Sequence, residues 1–123
     1  MSNPFISTLE DISNLTVPIP TGADLHKIFQ TNTHSQISTV YLAPEKNIGF
    51  ERHVNPPADQ IILVLEGSGT AMLGRDVYDK ELQFYEIYKG TFLTVPAGVR
   101  HEFYNTSEDL PLKLLIIYAP PIH

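Results

Sequence analysis

The stretch Gly90-Thr91-Phe92-Leu93-Thr94-Val95-Pro96-Ala97-Gly98-Val99-Arg100-His101-Glu102-Phe103-Tyr104-Asn105 decides how the chain reads. Thr91 to Val95 is rich in β-branched and aromatic residues, which suit a pleated surface. Pro96-Ala97-Gly98 then has turn chemistry, since proline presets φ and glycine accepts a positive one. Beyond the turn the chain is extended again. Side chains alternate sides along a strand, so His101, Phe103 and Asn105 share a face.

The upstream stretch His53-Val54-Asn55-Pro56-Pro57-Ala58-Asp59-Gln60-Ile61-Ile62-Leu63-Val64-Leu65-Glu66-Gly67 has the same grammar. Alternation puts Glu51, His53 and Asn55 on one face of a strand. Pro56-Pro57 interrupts it, because proline donates nothing to a ladder. Gln60, Ile62 and Val64 share one face of the next run. If the break reverses the chain, Gln60 swings back beside His53 and Asn55. One imidazole from each stretch, with an amide between them, is a donor set for a divalent metal.

The downstream stretch resembles the second cupin motif, G-x5-P-x-G-x2-H-x3-N, at Gly90, Pro96, Gly98, His101 and Asn105. The upstream stretch is similar to the first, G-x5-H-x-H-x3,4-E-x6-G, with His53 kept, Asn55 at the second His, Gln60 at the Glu and Gly67 at the closing Gly. Asn47 stands at the opening Gly, and Gly49 lies two residues on. The ending, Tyr118 to His123, looks like that of small single-domain bacterial cupins, some described as mannose-6-phosphate-isomerase-like.

The resemblance implies an all-β double-stranded β-helix, the cupin jelly-roll barrel. It also implies a transition metal held by the motif positions, here His53, Asn55, Gln60 and His101. An Asn oxygen is neutral and a weaker ligand than imidazole. Such a neutral set favours zinc or nickel over iron or manganese, or no metal at all if the substitutions have cost the site. Glu51 shares the parity of His53 and is the candidate catalytic base or a further ligand; a solvated strand-end carboxylate is the competing reading. Tyr41, Ile62, Phe92 and Phe103 are candidate pocket residues, against ordinary core packing. Asn105 reads as structural, its side chain bonding backbone near a turn. His26, His34 and His123 have no motif support.

Two function classes follow. One is a metal-dependent enzyme, isomerase- or lyase-like, acting on a small polar, carbohydrate-like metabolite. The other is a non-enzymatic ligand-binding or scaffold cupin that has lost its metal.

The rest of the chain bounds these readings. At 123 residues it suits one domain. The net charge of −6 and scattered Lys and Arg disfavour nucleic acid as a partner. The absence of cysteine excludes disulfides, thiolate zinc and cysteine nucleophiles. No run approaches the ~20 apolar residues of a membrane span, and Lys27 is the first basic side chain, so no secretory signal is expected. A cytoplasmic protein is the default.

Residues 1–20 read as an N-terminal arm, with a short helix capped at Ser7, and 21–123 as the barrel domain. Strands are expected near 25–29, 36–42, 50–55, 61–65, 70–73, 81–88, 91–95, 101–105 and 112–118. Ile61 to Leu65 and Leu112 to Tyr118 are apolar on both faces, so both must be covered. A second subunit over the outer face, giving a homodimer, is the expectation.

Overall fold

In the computed structural model, residues 6–18, 26–50, 58–74 and 81–121 are described. Short extended runs separated by Gly, Pro and Asn turns produce α1 (Leu9–Leu15), β1 (His26–Thr31), β2 (Gln36–Leu42), β3 (Asn47–Phe50), β4 (Asp59–Glu66), β5 (Ser68–Gly74), β6 (Leu82–Tyr88), β7 (Phe92–Val95), β8 (His101–Tyr104) and β9 (Leu112–Ala119). They form a five-stranded sheet, β1-β2-β9-β4-β7, and a four-stranded sheet, β3-β8-β5-β6. From β4 onward the chain crosses between sheets at almost every turn, and every pair is antiparallel. This is the jelly roll expected from the motifs.

Alternation builds the core. Val40 and Leu42 of β2, Ile62 and Val64 of β4, and Leu114 and Ile116 of β9 face inward from the first sheet. Ala71, Ile87 and Phe103 meet them from the second.

The outer face of the five-stranded sheet carries its own cluster. Ile12 of α1 packs there with Leu65 and Leu115, flanked by Phe29, Ile37, Leu63 and Ile117. The helix starts one residue later than expected. Thr8, not Ser7, is the N-cap, and its Oγ1 accepts from the Asp11 backbone N–H at 3.1 Å. Two adjacent hydroxyls are equivalent as caps in sequence; docking Ile12 onto the sheet selects between them.

A polar clamp holds the helix. Lys113 Nζ donates to the Ser13 carbonyl at 2.9 Å and pairs with Glu66 Oε2 at 3.3 Å, while Ser13 Oγ donates to the same carboxylate at 3.2 Å. The Lys113 hydrogen bond is the main cause that lowers the Glu66 carboxyl below its usual pKa. The chain therefore covers part of its own outer face, and the two-faced run Ile61–Leu65 does not by itself require a second subunit. Ile61 stays 43% exposed, and on the edge strand β6 so do Phe84 and Tyr88, each at 65%. Among the described residues no helix is long and apolar enough to cross a membrane.

Candidate functional site

Gln60 lies second in β4, on the inward parity with Ile62 and Val64. Its cross-strand partner in β7 is Val95. From Val95 the turn 96–100 carries the chain to the other sheet, where β8 begins with His101. Gln60 and His101 thus lie at the same end of the roll, on the inner faces of opposite sheets.

The turn is locked from two sides. The Val99 N–H donates to the Pro96 carbonyl at 3.2 Å, and the Ala97 N–H donates to Asp59 Oδ1 at 2.9 Å. Gly98 has φ 83°, which explains a glycine at this motif position. The role of Asp59 depends on the β4–β7 register, and nothing in the sequence marks it.

His101 is 1% exposed, and its ring meets Phe103 edge-on, with centroids 5.9 Å apart. Nδ1 lies 3.1 Å from the Val99 carbonyl. A carbonyl only accepts, so in the neutral ring Nδ1 carries the proton and Nε2 keeps the lone pair. Burial lowers the imidazole pKa, outweighing the Val99 hydrogen bond and the Glu102 charge. A buried, neutral imidazole with its tautomer set by a backbone carbonyl is the form that ligates a metal.

Gln60 is 5% exposed, and its Oε1 is buried with no hydrogen-bond partner among the described residues. A buried acceptor without a donor is costly; a cation would satisfy it. The two described members of the expected donor set therefore fit a divalent ion. His53, Asn55 and Glu51 lie outside the described residues. Among those described, no group of three His, Cys, Asp or Glu side chains could hold a metal.

The structure places the expected pocket residues on different faces. Ile62 and Phe103, each 0% exposed, sit in the core beside the site. Tyr41 does not face it. Val40 and Leu42 point inward, so Tyr41 shares the outer parity of Ile37. Phe92 does not face the core either: Leu93 and Val95 take the inward positions of β7, and Phe92, 68% exposed, lines a groove with Ala71, Leu73, Tyr85, Ile87 and Leu93. Alternation was legible in both strands, but its phase was not.

The sequence reading also missed a polar row. Across three neighbouring strands of the inner face, Gln36, Tyr118 and Gln60 stand in register. Gln36 Nε2 donates to Thr31 Oγ1 at 3.0 Å. Ser38 follows two residues along β2. The available signal was Gln36 and Ser38 on the parity of Val40 and Leu42, polar groups where apolar ones would pack.

Tyr118 is 2% exposed, and burial pushes its hydroxyl up to about 12. The unfolded value is about 10. Because the folded pKa is the higher one, the unfolded state releases the proton first. The Tyr118 contribution should be constant below pH ~10 and be lost between ~10 and ~12, lowering stability by on the order of 2–3 kcal/mol. Urea midpoints at pH 9 and 11.5, compared with Tyr118→Phe, check this: the variant should lose that part of the alkaline decline. Equal declines in both proteins would refute it.

Known proteins agree with this architecture. YrkC of Bacillus subtilis (strain 168) is 36% identical over 93 residues, which is 76% of this chain and 48% of YrkC. The chain spans about half the length of the curated relatives it matches. The crystal structure of BH2720 from Bacillus halodurans superposes with a TM-score of 0.74 at 30% identity, covering 98% of this chain and 84% of that one. Acireductone dioxygenase of Homo sapiens is a more distant relative, 27% identical over 109 residues, covering 80% of this chain and 58% of the human protein. The family model described as "Cupin domain" matches residues 38–118. That match runs from Ser38 in β2 to Tyr118 in β9, through both sheets and both sides of the Gln60–His101 site, and the chain therefore belongs to the cupin family.

Proposed function

We propose that the chain holds a divalent metal at the Gln60–His101 end of the roll and acts there on a small polar, carbohydrate-like metabolite, as an isomerase- or lyase-like enzyme. The observation that carries this reading is the buried, neutral His101 ring, its Nδ1 bonded to the Val99 carbonyl, at the same end as the orphaned Oε1 of Gln60. In this reading His53 and Asn55 complete the set and Glu51 is the base. A bound ion would supply Lewis acidity, polarising a substrate carbonyl or hydroxyl. A neutral His/Gln/Asn set suits zinc or nickel for that work.

The chain's own residues prepare the site. Val99 fixes the His101 tautomer, Phe103 holds the ring edge-on, and Ile62 and Phe103 keep water from the floor. The reading also includes a homodimer, supported by the exposed Phe84 and Tyr88 on the β6 edge.

The second reading is a binding module without a metal. It is favoured by Asn55 and Gln60 standing where cupins usually carry His and Glu. Metal content separates the two. Tagless protein, purified without chelator or nickel resin, is expected to carry near-stoichiometric transition metal by mass spectrometry. His101→Ala should reduce it at least tenfold. No metal in the wild type, even after dialysis against zinc, nickel, manganese and ferrous iron, would sink the enzyme reading in favour of the module.

A further inference from the structure

We propose that the groove along the seam of β6 and β7 is a subsite for a planar aromatic group of the substrate, one that carries no negative charge. This rests on the site of the proposed function and adds an apolar end to the metabolite acted on there.

The groove exists because the roll stays open on this side. β7 ends the five-stranded sheet and β6 ends the four-stranded one, so each pairs on one side only. The space at their seam is about 310 Å³, at the lower end of the ~300–1,000 Å³ typical of small-molecule sites. The buried and half-buried side chains of Ala71, Leu73, Ile87 and Leu93 form its floor. Tyr85 and Phe92 flank it, one from each edge strand.

Two observations point to a ligand. The first is the pair of flanking aromatics. Phe92 is 68% and Tyr85 47% exposed, beside a concave apolar floor. An aromatic group between them would take apolar surface from water and gain ring contacts. The Tyr85 hydroxyl donates to Gln83 Oε1, which tethers that ring at the rim. The second is continuity with the reaction site. Leu73 is the cross-strand partner of His101, and Leu93 is that of Ile62, two residues from Gln60 on the same inner face. Neighbouring strands lie about 4.8 Å apart. The Leu73 side chain is therefore a wall shared by the groove and the imidazole. A metabolite held at the Gln60–His101 end reaches the groove with its other end.

Chemistry sets the class. Among the described residues the lining adds a carboxylate, Glu86, and a hydroxyl, Thr91, and no cation. A negative charge on the ring meets repulsion there and no counter-charge. Charge in the substrate belongs at its polar end, with the ion. The groove also suits a small ring better than a second copy of the chain. Phe84 and Tyr88, the exposed side chains of β6 suited to an interface, take the opposite parity from Tyr85 and do not line it.

The test uses the full chain dialysed against zinc. The chain has no tryptophan, so indole fluorescence excited beyond the tyrosine band reports occupancy without background. Indole, phenol, 1-phenyl-1,2-ethanediol and erythritol are titrated by fluorescence and calorimetry into wild type, Phe92→Ala and Tyr85→Ala. Both replaced side chains are exposed, so both variants should keep the wild-type Tm. Indole and phenol are expected to bind the wild type, and erythritol is not expected to displace them. Each variant should weaken both by about tenfold or more, with zinc content unchanged. The phenyl diol, which joins a ring to a polar end, should bind the zinc-loaded wild type about tenfold or more tighter than phenol. With zinc removed by chelator, benzoate should not displace indole.

The proposal is overturned if neither indole nor phenol binds, if both variants bind them like the wild type, or if the diol gains nothing over phenol in zinc-loaded protein. Displacement of indole by benzoate from the metal-free protein overturns the charge assignment. A wild-type dimer that Phe92→Ala turns into a monomer by light scattering, with indole bound by neither, gives the groove to a second copy and overturns the proposal. Zinc bound without any ring binding defeats this inference alone. Indole binding lost in the variants, in a protein that takes up no zinc, defeats the metal reading and leaves the aromatic groove standing.

Discussion

Gly67→Ala is expected to cost about 2–5 kcal/mol and to leave little folded protein at 37 °C, from left-handed backbone strain of ~1–2 kcal/mol plus a steric overlap of ~1–3 kcal/mol. Gly67 carries the chain from β4 in one sheet to β5 in the other with φ 90°. A Cβ there would lie 2.2 Å from the Pro111 carbonyl oxygen and 3.0 Å from Leu112 Cα. Both are backbone atoms, so no rotamer change relieves the overlap; the start of β9 would have to move away from the β4–β5 crossing.

Gly90→Ala is the internal control. Gly90 also has φ 90°, but a Cβ there meets nothing within 4 Å. It should cost only the conformational strain, about 1–2 kcal/mol. Urea denaturation of both variants gives the difference directly. Equal losses would show that the close approach of Pro111 is not what the first cupin motif's closing glycine accommodates.

Asn105→Ala is expected to cost about 3 kcal/mol, since three hydrogen bonds at roughly 1 kcal/mol each disappear and buried carbonyls lose their donor. Asn105 is 3% exposed. Its Nδ2 donates to the Leu42 carbonyl at 3.0 Å and the Leu110 carbonyl at 2.8 Å, and its Oδ1 accepts from the Ser107 N–H at 3.0 Å. One side chain thus ties the end of β2 to the loop that leads into β9.

Asn105→Asp should be at least as damaging. A carboxylate keeps the acceptor but loses both donors, and it would face two carbonyl oxygens. Chemical denaturation decides the matter: a loss below about 1 kcal/mol for Asn105→Ala would mean that water replaces the amide and the motif asparagine is not a structural tie.

Asn105 also shows how far the sequence could be read. Its structural role follows from residue type and position, because a short amide after a strand end bonds backbone. Its partners did not follow, since Leu42 lies 63 positions away and is brought near only by folding. Tyr41 and Phe92 show a second limit. Each sits in a run whose alternation is plain, but residue type misleads about which parity turns inward: Gln36 and Ser38 put polar groups on the inward parity of β2, and Phe92 puts a large apolar side chain on the exposed parity of β7. The opposite sheet and α1 set the phase, sending Val40 and Leu93 inward and the two aromatics outward. Thr8 replacing Ser7 as the helix cap is the same effect at smaller scale.

What the sequence determined by itself was local and periodic: β-rich runs, the Pro96-Ala97-Gly98 turn, a histidine opening β8, and two motifs specific enough to name the roll. Those signals survive because turn chemistry and strand alternation act over a few residues and are written in residue types. The tertiary structure alone decided which residues meet. It closed the outer face with Ile12 and the Ser13–Glu66–Lys113 clamp, set Asp59 against the Ala97 N–H, and aligned Gln36, Tyr118 and Gln60 from three distant segments. Such contacts depend on inter-strand register, which is fixed by the packing of the whole core and not by any short stretch of chain.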